Sequence, residues 1–390
     1  MVVLLGLISL FIDMTGDGYY SVVGPYLGTL GASAAIIAVI VGIGGLVAYT
    51  PRLASGWYCD HTGHYWNIMI VGLVVNFLAV PLLALAGHWE LAFGVIIFDR
   101  MGKALRSPAR DAIISHAAKG MGGAGRAFGL HEAMSDIGSM AGPIIVAVML
   151  QANYGYSAAI GILMVPALLA VILVFLTMRW YPRPIELEAP CPTDQERPVK
   201  AKLPGLFWVY MVAVGLVAAA FIDFPLISFH MSNVDHMQTF WIPVLFAVAM
   251  GLDAISAIVF GHFFDRIGMT ALAVVFGISA FFVPLVFGTD PLFMVIGIAL
   301  WGVGQGAIGS ILRAAVSQLV PQSRRGLGYG IYATIFGILW FLGSAATGVL
   351  YVISVPLMIV TSVAVQLLAV AIFVYIQGQL RKHPDLICGA

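Results

Sequence analysis

Long apolar runs, each closed by glycine, proline, asparagine or charge, follow one another along the whole chain. About 20 consecutive apolar residues form a helix long enough to cross the ~30 Å hydrocarbon core of a bilayer. On that rule the pattern predicts twelve spans, at about 2–28, 33–55, 67–87, 90–109, 124–151, 156–178, 204–230, 238–262, 270–288, 291–317, 326–351 and 355–378. The one long hydrophilic stretch, rich in proline and charge, separates six spans from six. The expected organisation is therefore an N-terminal bundle over 1–179, an extended cytoplasmic linker over 180–203 and a C-terminal bundle over 204–390. The first run lacks a basic leader, contains Asp13 and Asp17, and is too long for a signal peptide, so it reads as an uncleaved span.

Basic residues orient these spans. Lys119, Arg183, Arg197, Lys200, Lys202, Arg266, Arg324, Arg325, Arg381 and Lys382 all fall in connections on one side, whereas the opposite loops, near 28–32, 87–90, 151–156, 230–238, 288–290 and 351–354, contain no lysine or arginine. The positive-inside rule places both termini in the cytoplasm of a cell whose inner membrane holds the chain. Composition agrees. Apolar residues make up 61% and charged residues 9% of the 390, against roughly 45–50% and 25% in soluble domains. Eighteen basic residues balance eighteen acidic ones, so no basic field invites nucleic acid. Cys59, Cys191 and Cys388 all fall on the cytoplasmic side and read as reduced thiols.

The halves echo each other. Gly56, Asp60 and Gly63 after the second span recur as Gly261, Asp265 and Gly268 after the eighth, and Phe11-Ile12-Asp13 recurs as Phe221-Ile222-Asp223. In such a turn the glycines allow close approach and tight reversal, and the aspartate can accept from a helix N-terminus, which suits a cytoplasmic gate. A duplicated six-span unit with a substrate path between its copies is one transporter architecture. These residues resemble the major facilitator superfamily over essentially the whole chain. The resemblance implies an all-α membrane protein, twelve transmembrane helices in two pseudo-symmetric six-helix bundles, with Gly56, Asp60, Gly63, Gly261, Asp265, Arg266 and Gly268 as its gate motif. His61 and His64 stand where the family has basic residues. Gly129, Gly138 and Gly142-Pro143 have the spacing of the family's fifth-helix motif, associated with drug-exporting antiporters, although Val146 and Ala147 replace its closing glycines. Independently of any family, such glycines give a smooth packing face and Pro143 bends the helix.

Charges inside spans are the candidate chemistry, because an ionised group at mid-bilayer costs at least ~2.5–3.5 kcal/mol. At ~1.5 Å per residue, Asp13 lies ~16 Å deep and Asp17 ~22 Å, on one face of the first span. Asp99, Arg100 and Lys103 enter the fourth span, and His131, Glu132 and Asp136 the fifth. Arg100 is expected to pair with Asp17, Asp136 or Asp13, leaving a surplus of carboxylates. Two carboxylates sharing one cation cannot both stay ionised comfortably, so one becomes a proton carrier; a static salt-bridge network that fixes helix register is the rival account. Asp99, on another helix face, is expected to pack against a neighbouring helix. The proton-coupling candidates are Asp13, Asp17, Glu132, Asp136 and, alone near the middle of the eighth span, Asp253. The substrate-contact candidates are Arg100, Lys103, Tyr20, Asp223, Trp301 and Gln305, with Pro225 expected to interrupt the seventh span just after Asp223.

The leading expectation is a proton-coupled secondary transporter, exporting a small molecule or ion by alternating access, monomeric, with no cofactor. No phosphate-binding Gly-Lys-Ser/Thr loop suggests an ATP-driven pump, and no nucleophile elbow or zinc-protease motif suggests an enzyme. Two rivals remain: a facilitator or divalent-metal or anion carrier without proton coupling, and a membrane sensor on a transporter scaffold, against which the lack of an appended soluble domain weighs. His230, Asp235 and His236, or His131, Glu132 and Asp136, carry ligand types for a divalent metal but no recognisable ligand spacing.

Overall fold

The computed structural model describes residues 1–52, 54–55, 58, 62, 64–117, 124–182, 203–233, 238–320 and 325–382, with the side chains of 115–117, 124–129, 265, 317 and 325–327 outside that description. Gly56, Asp60 and Gly63 of the first gate motif lie outside the described residues, as do Asp235 and His236; of Asp265 and Gly129 only the helical backbone is described.

Among the described residues every regular element is a helix, and the twelve expected spans are all there. The first is Val2–Tyr20 followed by Val23–Thr29; the second contains Ala34–Tyr49; the third is Tyr65–Ala84, the fourth Trp89–Ala117, the fifth Ala124–Gln151, and the sixth Gly155–Gly161 with Met164–Trp180. The seventh is Gly205–Ala220 with Phe224–Ser232, the eighth Trp241–Ile267, the ninth Met269–Ser279 with Phe282–Val286, the tenth Pro291–Gly309 with Ile311–Leu319, the eleventh Arg325–Ile353 and the twelfth Val355–Lys382. Large apolar side chains stand exposed along these helices, Ile137, Ile144 and Val148 on the fifth among them. In water such faces would aggregate; in a bilayer they are the lipid contact.

Local chemistry sets the helix ends and breaks. Asp290 caps the tenth span, its side chain accepting from Leu292 N at 2.8 Å with Pro291 in the first turn. Pro225 interrupts the seventh span as expected: Phe221 is extended (φ −81°, ψ 118°) and helix resumes at Phe224. Gly268 turns the eighth span into the ninth at φ +61°, a conformation that disfavours any side chain. Pro143 sits inside one continuous helix. The fourth span departs from expectation. Its apolar run ends near 109, yet the helix continues to Ala117.

By their contacts the residues form two units, Met1–Ser33 with Ile43–Thr193 and Met231–Ala247, and Ala34–Gly42 with Asp194–His230 and Val248–Ala390. In the first, the fifth and sixth spans pack on the first, the sixth on the third, and the third on the fourth. In the second, the eleventh and twelfth pack on the seventh, the twelfth on the ninth, and the ninth on the tenth. Each pairing in one half is the other's shifted by six spans, which is what duplication of a six-helix unit produces. Leu5, Ile8, Ile12, Leu73, Ile113 and Val174 centre one core; in the other Phe373 contacts Tyr210 and Phe276, with ring centroids 6.1 and 6.0 Å away.

Candidate functional site

The first and fifth spans approach so closely that a Cβ on Gly138 would collide with the backbone of Leu10, and one on Gly142 with that of Met14. This contact brings polar side chains of the two helices together. Ser135 donates to Asp13 Oδ2, and Ser9 Oγ lies 2.7 Å from His131 Nε2 in a buried hydrogen bond. From the fourth span Arg106 reaches Asp13, Nη2 to Oδ1, at 3.8 Å. Arg106 is 3% exposed, so this cation is held inside the helix set. Arg100 was expected to pair with Asp17, Asp136 or Asp13; Asp13 instead takes Arg106, six residues further along the same helix.

A second set of bonds surrounds Asp99. Tyr19 Oη donates to its Oδ2 at 2.5 Å, and Asn76 Nδ2 donates to its Oδ1 at 2.7 Å and to its carbonyl at 2.8 Å. Arg106 Nε donates in turn to Asn76 Oδ1 at 3.2 Å. Asp99 thus packs against neighbouring helices, as its helix face suggested, and also lines the same cavity as Asp13, Asp17, Arg100, Lys103 and Arg106. That cavity measures about 20 Å³, room for a water molecule. Close approach of the third and fourth spans makes it narrow: a Cβ on Gly72 or Gly102 would press on the facing helix.

The remaining charges are arranged differently. Arg100 stacks over the Tyr20 ring, its guanidinium carbon 5.0 Å from the centroid, and the Tyr20 ring meets Phe246 edge-on at 6.1 Å. Among the described residues no carboxylate lies within 4 Å of Arg100 or Lys103. Asp17 has Ser139 within hydrogen-bonding reach. Asp136 lies within electrostatic reach of Glu132, Asp13 and Asp17, on a flank of the fifth span between its packed face and its exposed apolar face; Glu132, one turn away, is exposed.

The second half places its candidates in an aromatic setting. Asp223, in the break of the seventh span, accepts at Oδ2 from Trp340 Nε1 and Ser344 Oγ, both at 2.8 Å. The break frees the carbonyl of Ile222, and Trp301 Nε1 donates to it at 2.9 Å. The Trp301 ring, 2% exposed, is packed between Phe221 and Phe224. Gln305, one turn along from Trp301, has a buried Oε1 with no hydrogen-bond partner among the described residues. Asp253 is partly exposed on the eighth span, with Gly306 of the tenth against its carbonyl. Gly261 is open and Arg266 exposed in the last turn of the eighth span. Among the described residues no three His, Cys, Asp or Glu side chains converge as metal ligands, His131, Glu132 and Asp136 included.

Sequence reasoning passed over Arg106, Asn76, Ser135 and Ser344 as site residues. Arg106 and Asp99 are seven residues apart, hence on one helix face, and Asn76 is the lone strongly polar residue inside its apolar run; both were readable signals. Nothing in the sequence marked which serines would face the aspartates.

Comparison with known proteins bears on all of this. The model of the Major Facilitator Superfamily matches the chain in two stretches, residues 6–344 and 247–385. An uncharacterised protein of Mycobacterium tuberculosis is 36% identical over 372 residues, covering 94% of this chain and 90% of that protein. An uncharacterised transporter of the same superfamily type from Methanocaldococcus jannaschii is 23% identical over 369 residues, covering 90% of this chain and 89% of its own. Among solved structures, a peptide transporter, POT, in complex with sulfate superposes with a TM-score of 0.79 at 13% identity, covering 100% of this chain and 96% of that one. A bacterial homologue of the lysosomal transporter Spinster in an inward-facing conformation gives 0.74 at 12%, covering 99% and 96%. The fold is that of a multi-pass secondary transporter, and the chain belongs to the major facilitator superfamily.

Proposed function

We propose that this chain couples the movement of a small molecule to that of protons across the inner membrane. It works as a monomer with both termini cytoplasmic, alternating access between bundles over 1–179 and 204–390. The observation that supports it best is the Asp13–Arg106 pair, in which a carboxylate and a cation inside the membrane meet across two helices. A proton on Asp13 cancels that attraction and leaves Arg106 to its other bond, at Asn76. An inter-helix ion pair is thus a two-state contact that a proton biases, and only such a differential interaction can shift access. Asp17, Asp136 and Glu132 extend the proton path on the first and fifth spans, and Asp253 is its counterpart in the second half. Arg100, Lys103 and Tyr20 form the partly exposed surface that meets the cargo, and Gln305 offers a polar atom to it. Asp223 and Trp301, already bonded within their own half, hold the seventh span to the eleventh and tenth. Export is the direction we propose, on the fifth-span glycine–proline spacing.

Liposomes containing a pH-sensitive dye test the reading. With a panel of oxyanions, divalent metals and hydrophobic cations outside, one class is expected to drive proton movement that disappears in Asp13→Asn and Arg106→Met. Flux indifferent to an imposed pH gradient and unchanged in both variants would instead make the chain a facilitator. Binding without flux would make it a sensor.

A further inference from the structure

The polar cavity of the first half contains six formal charges: Asp13, Asp17 and Asp99 against Arg100, Lys103 and Arg106. They balance in number but not in contact. Asp13 and Arg106 hold each other. Asp99 is satisfied by neutral donors, Tyr19 and Asn76, and Asp17 has the neutral Ser139 beside it. Arg100 and Lys103 therefore remain without a contact carboxylate among the described residues. They are also the accessible ones. Asp99 and Arg106 are buried, whereas Asp17, Tyr20, Arg100 and Lys103 are partly exposed. Arg100 and Lys103 are three residues apart, on one side of the fourth span, and the Arg100 guanidinium carbon lies over the Tyr20 ring, 5.0 Å from its centroid, an attraction that leaves its N–H donors able to meet an anion.

A guanidinium and an ammonium side by side are complementary to an oxyanion. With all six groups ionised, however, the set is already neutral, and an anion docking on its partly exposed edge at Arg100 and Lys103, outside a cavity that holds only a water, would create an excess negative charge at low dielectric. Asp17 is the group that relieves this. It faces Lys103, Arg100, Asp99 and Arg106 from the fourth span, Asp13 on its own span and Asp136 from the fifth; the third and sixth spans contribute Asn76 and Ala167 to the lining, neither of which titrates. One proton on Asp17 leaves the cavity one positive charge in excess, the charge one monovalent anion cancels.

We propose that the cargo bears an oxyanion group, carboxylate, phosphate or sulfate, which docks on Arg100 and Lys103, and that it is carried together with one proton held on Asp17. This rests on the proton-coupled reading above and adds the cargo class and the sign of coupling: anion and proton leave together, so that export is driven by the gradient of the anion.

Purified full-length chain, in weakly buffered detergent solution at constant ionic strength with chloride as the control anion, provides the test. Acetate, benzoate, phosphate and sulfate are the probes, read by the shift in melting temperature and by a soluble pH indicator. At least one is expected to stabilise the protein and to draw about one proton from solution per anion bound. Arg100→Gln and Lys103→Gln should each weaken that binding at least tenfold, and Asp17→Asn should bind the same anion with no proton uptake and at least as tightly. The melting temperatures of the anion-free Arg100→Gln and Lys103→Gln proteins, expected to stay near that of the parent, separate lost binding from a failure to fold. Three results would overturn the proposal: binding undiminished in both cation variants, proton release on binding, or no response to any oxyanion. If a hydrophobic cation such as tetraphenylphosphonium drives protons in liposomes while the oxyanions do nothing, the proton-coupled reading survives and the anion assignment fails. If no probe of any class moves protons, that reading fails as well.

Discussion

Asp13 and Asp223 occupy the same tripeptide, Phe-Ile-Asp, in the first and seventh spans, and each accepts a hydrogen bond from a serine on the helix packed against it, Ser135 of the fifth and Ser344 of the eleventh. The resemblance stops at the third partner. Asp13 stands in an unbroken helix and meets a cation, Arg106; Asp223 stands in a helix break and meets an indole, Trp340. A duplicated frame has kept the carboxylate and its serine while changing what the carboxylate does. A charge paired with a charge across two helices responds to a proton by losing an attraction. A charge held by neutral donors in a wall of Phe221, Trp301 and Trp340 is an anchor for the chain at its break. Around these two aspartates the first half is ionic and the second aromatic, which makes the first the place to look for coupling.

If the frame is shared, breaking it should harm both halves alike. Valine at Gly142 or at Gly343 would drive a side chain into the backbone of Met14 or Ala219, where no flexible neighbour can yield. Each substitution is expected to cost ~3 kcal/mol or more, at the upper end of overpacking, and to leave little monodisperse protein on size exclusion. One variant tolerated and the other not would show that the two halves are not built on one contact. The partners, by contrast, should separate the halves. Arg106→Met strands Asp13 and removes a donor from Asn76, an expected loss of ~3–5 kcal/mol, with proton-driven flux abolished. Trp340→Phe removes one donor and keeps the ring and the bond from Ser344, for ~1.5–3 kcal/mol. Melting temperatures of the pair in one detergent measure the ratio. Below Arg106 come the serines: Ser135→Ala and Ser344→Ala each remove a bond to a carboxylate worth ~1.5–3 kcal/mol, and Ser135→Ala should in addition change the pH profile of flux, which Ser344→Ala should leave in place.

Much of this frame was legible because apolar length and basic asymmetry are one-dimensional signals. The twelve spans, the break before Pro225 and the tight reversal at Gly268 follow from residues whose local physics has few alternatives. The expected pairing of Arg100 was lost for a different reason. Depth counted along a helix places a side chain on the membrane normal and says little of which helix it faces, so Arg100 and Arg106, both on the fourth span, differ in partner by their rotation about its axis. The fourth helix runs past the end of its apolar stretch to Ala117: hydropathy marks where apolar residues stop and not where a helix does. Ser135 and Ser344 were invisible in the sequence because a serine in an apolar helix costs little wherever it faces.

The smallest effect tests whether the halves differ by one replaceable contact. Four residues before each aspartate the first half has Ser9 and the second Ala219. Ser9 bonds His131, buried, at 2.7 Å, whereas Ala219 lies directly under the bare backbone of Gly343. Ser9→Ala makes the first span match the seventh at this point but leaves the His131 ring nitrogen without its partner, at an expected cost of ~1–2 kcal/mol. Replacing both ends, Ser9→Ala with His131→Phe, removes donor and acceptor together and should cost less than the sum of the single changes, by ~1 kcal/mol in a double-mutant cycle of melting stability. Proton-coupled flux should survive all three variants, since neither residue is part of the Asp13–Arg106 pair. Strictly additive losses would mean that the two side chains are neighbours without an energetic bond. A loss of coupling with little loss of stability would draw His131 into the proton path, and the contrast between an ionic first half and a packed second half would then reach further along the fifth span than Asp13 and Ser135.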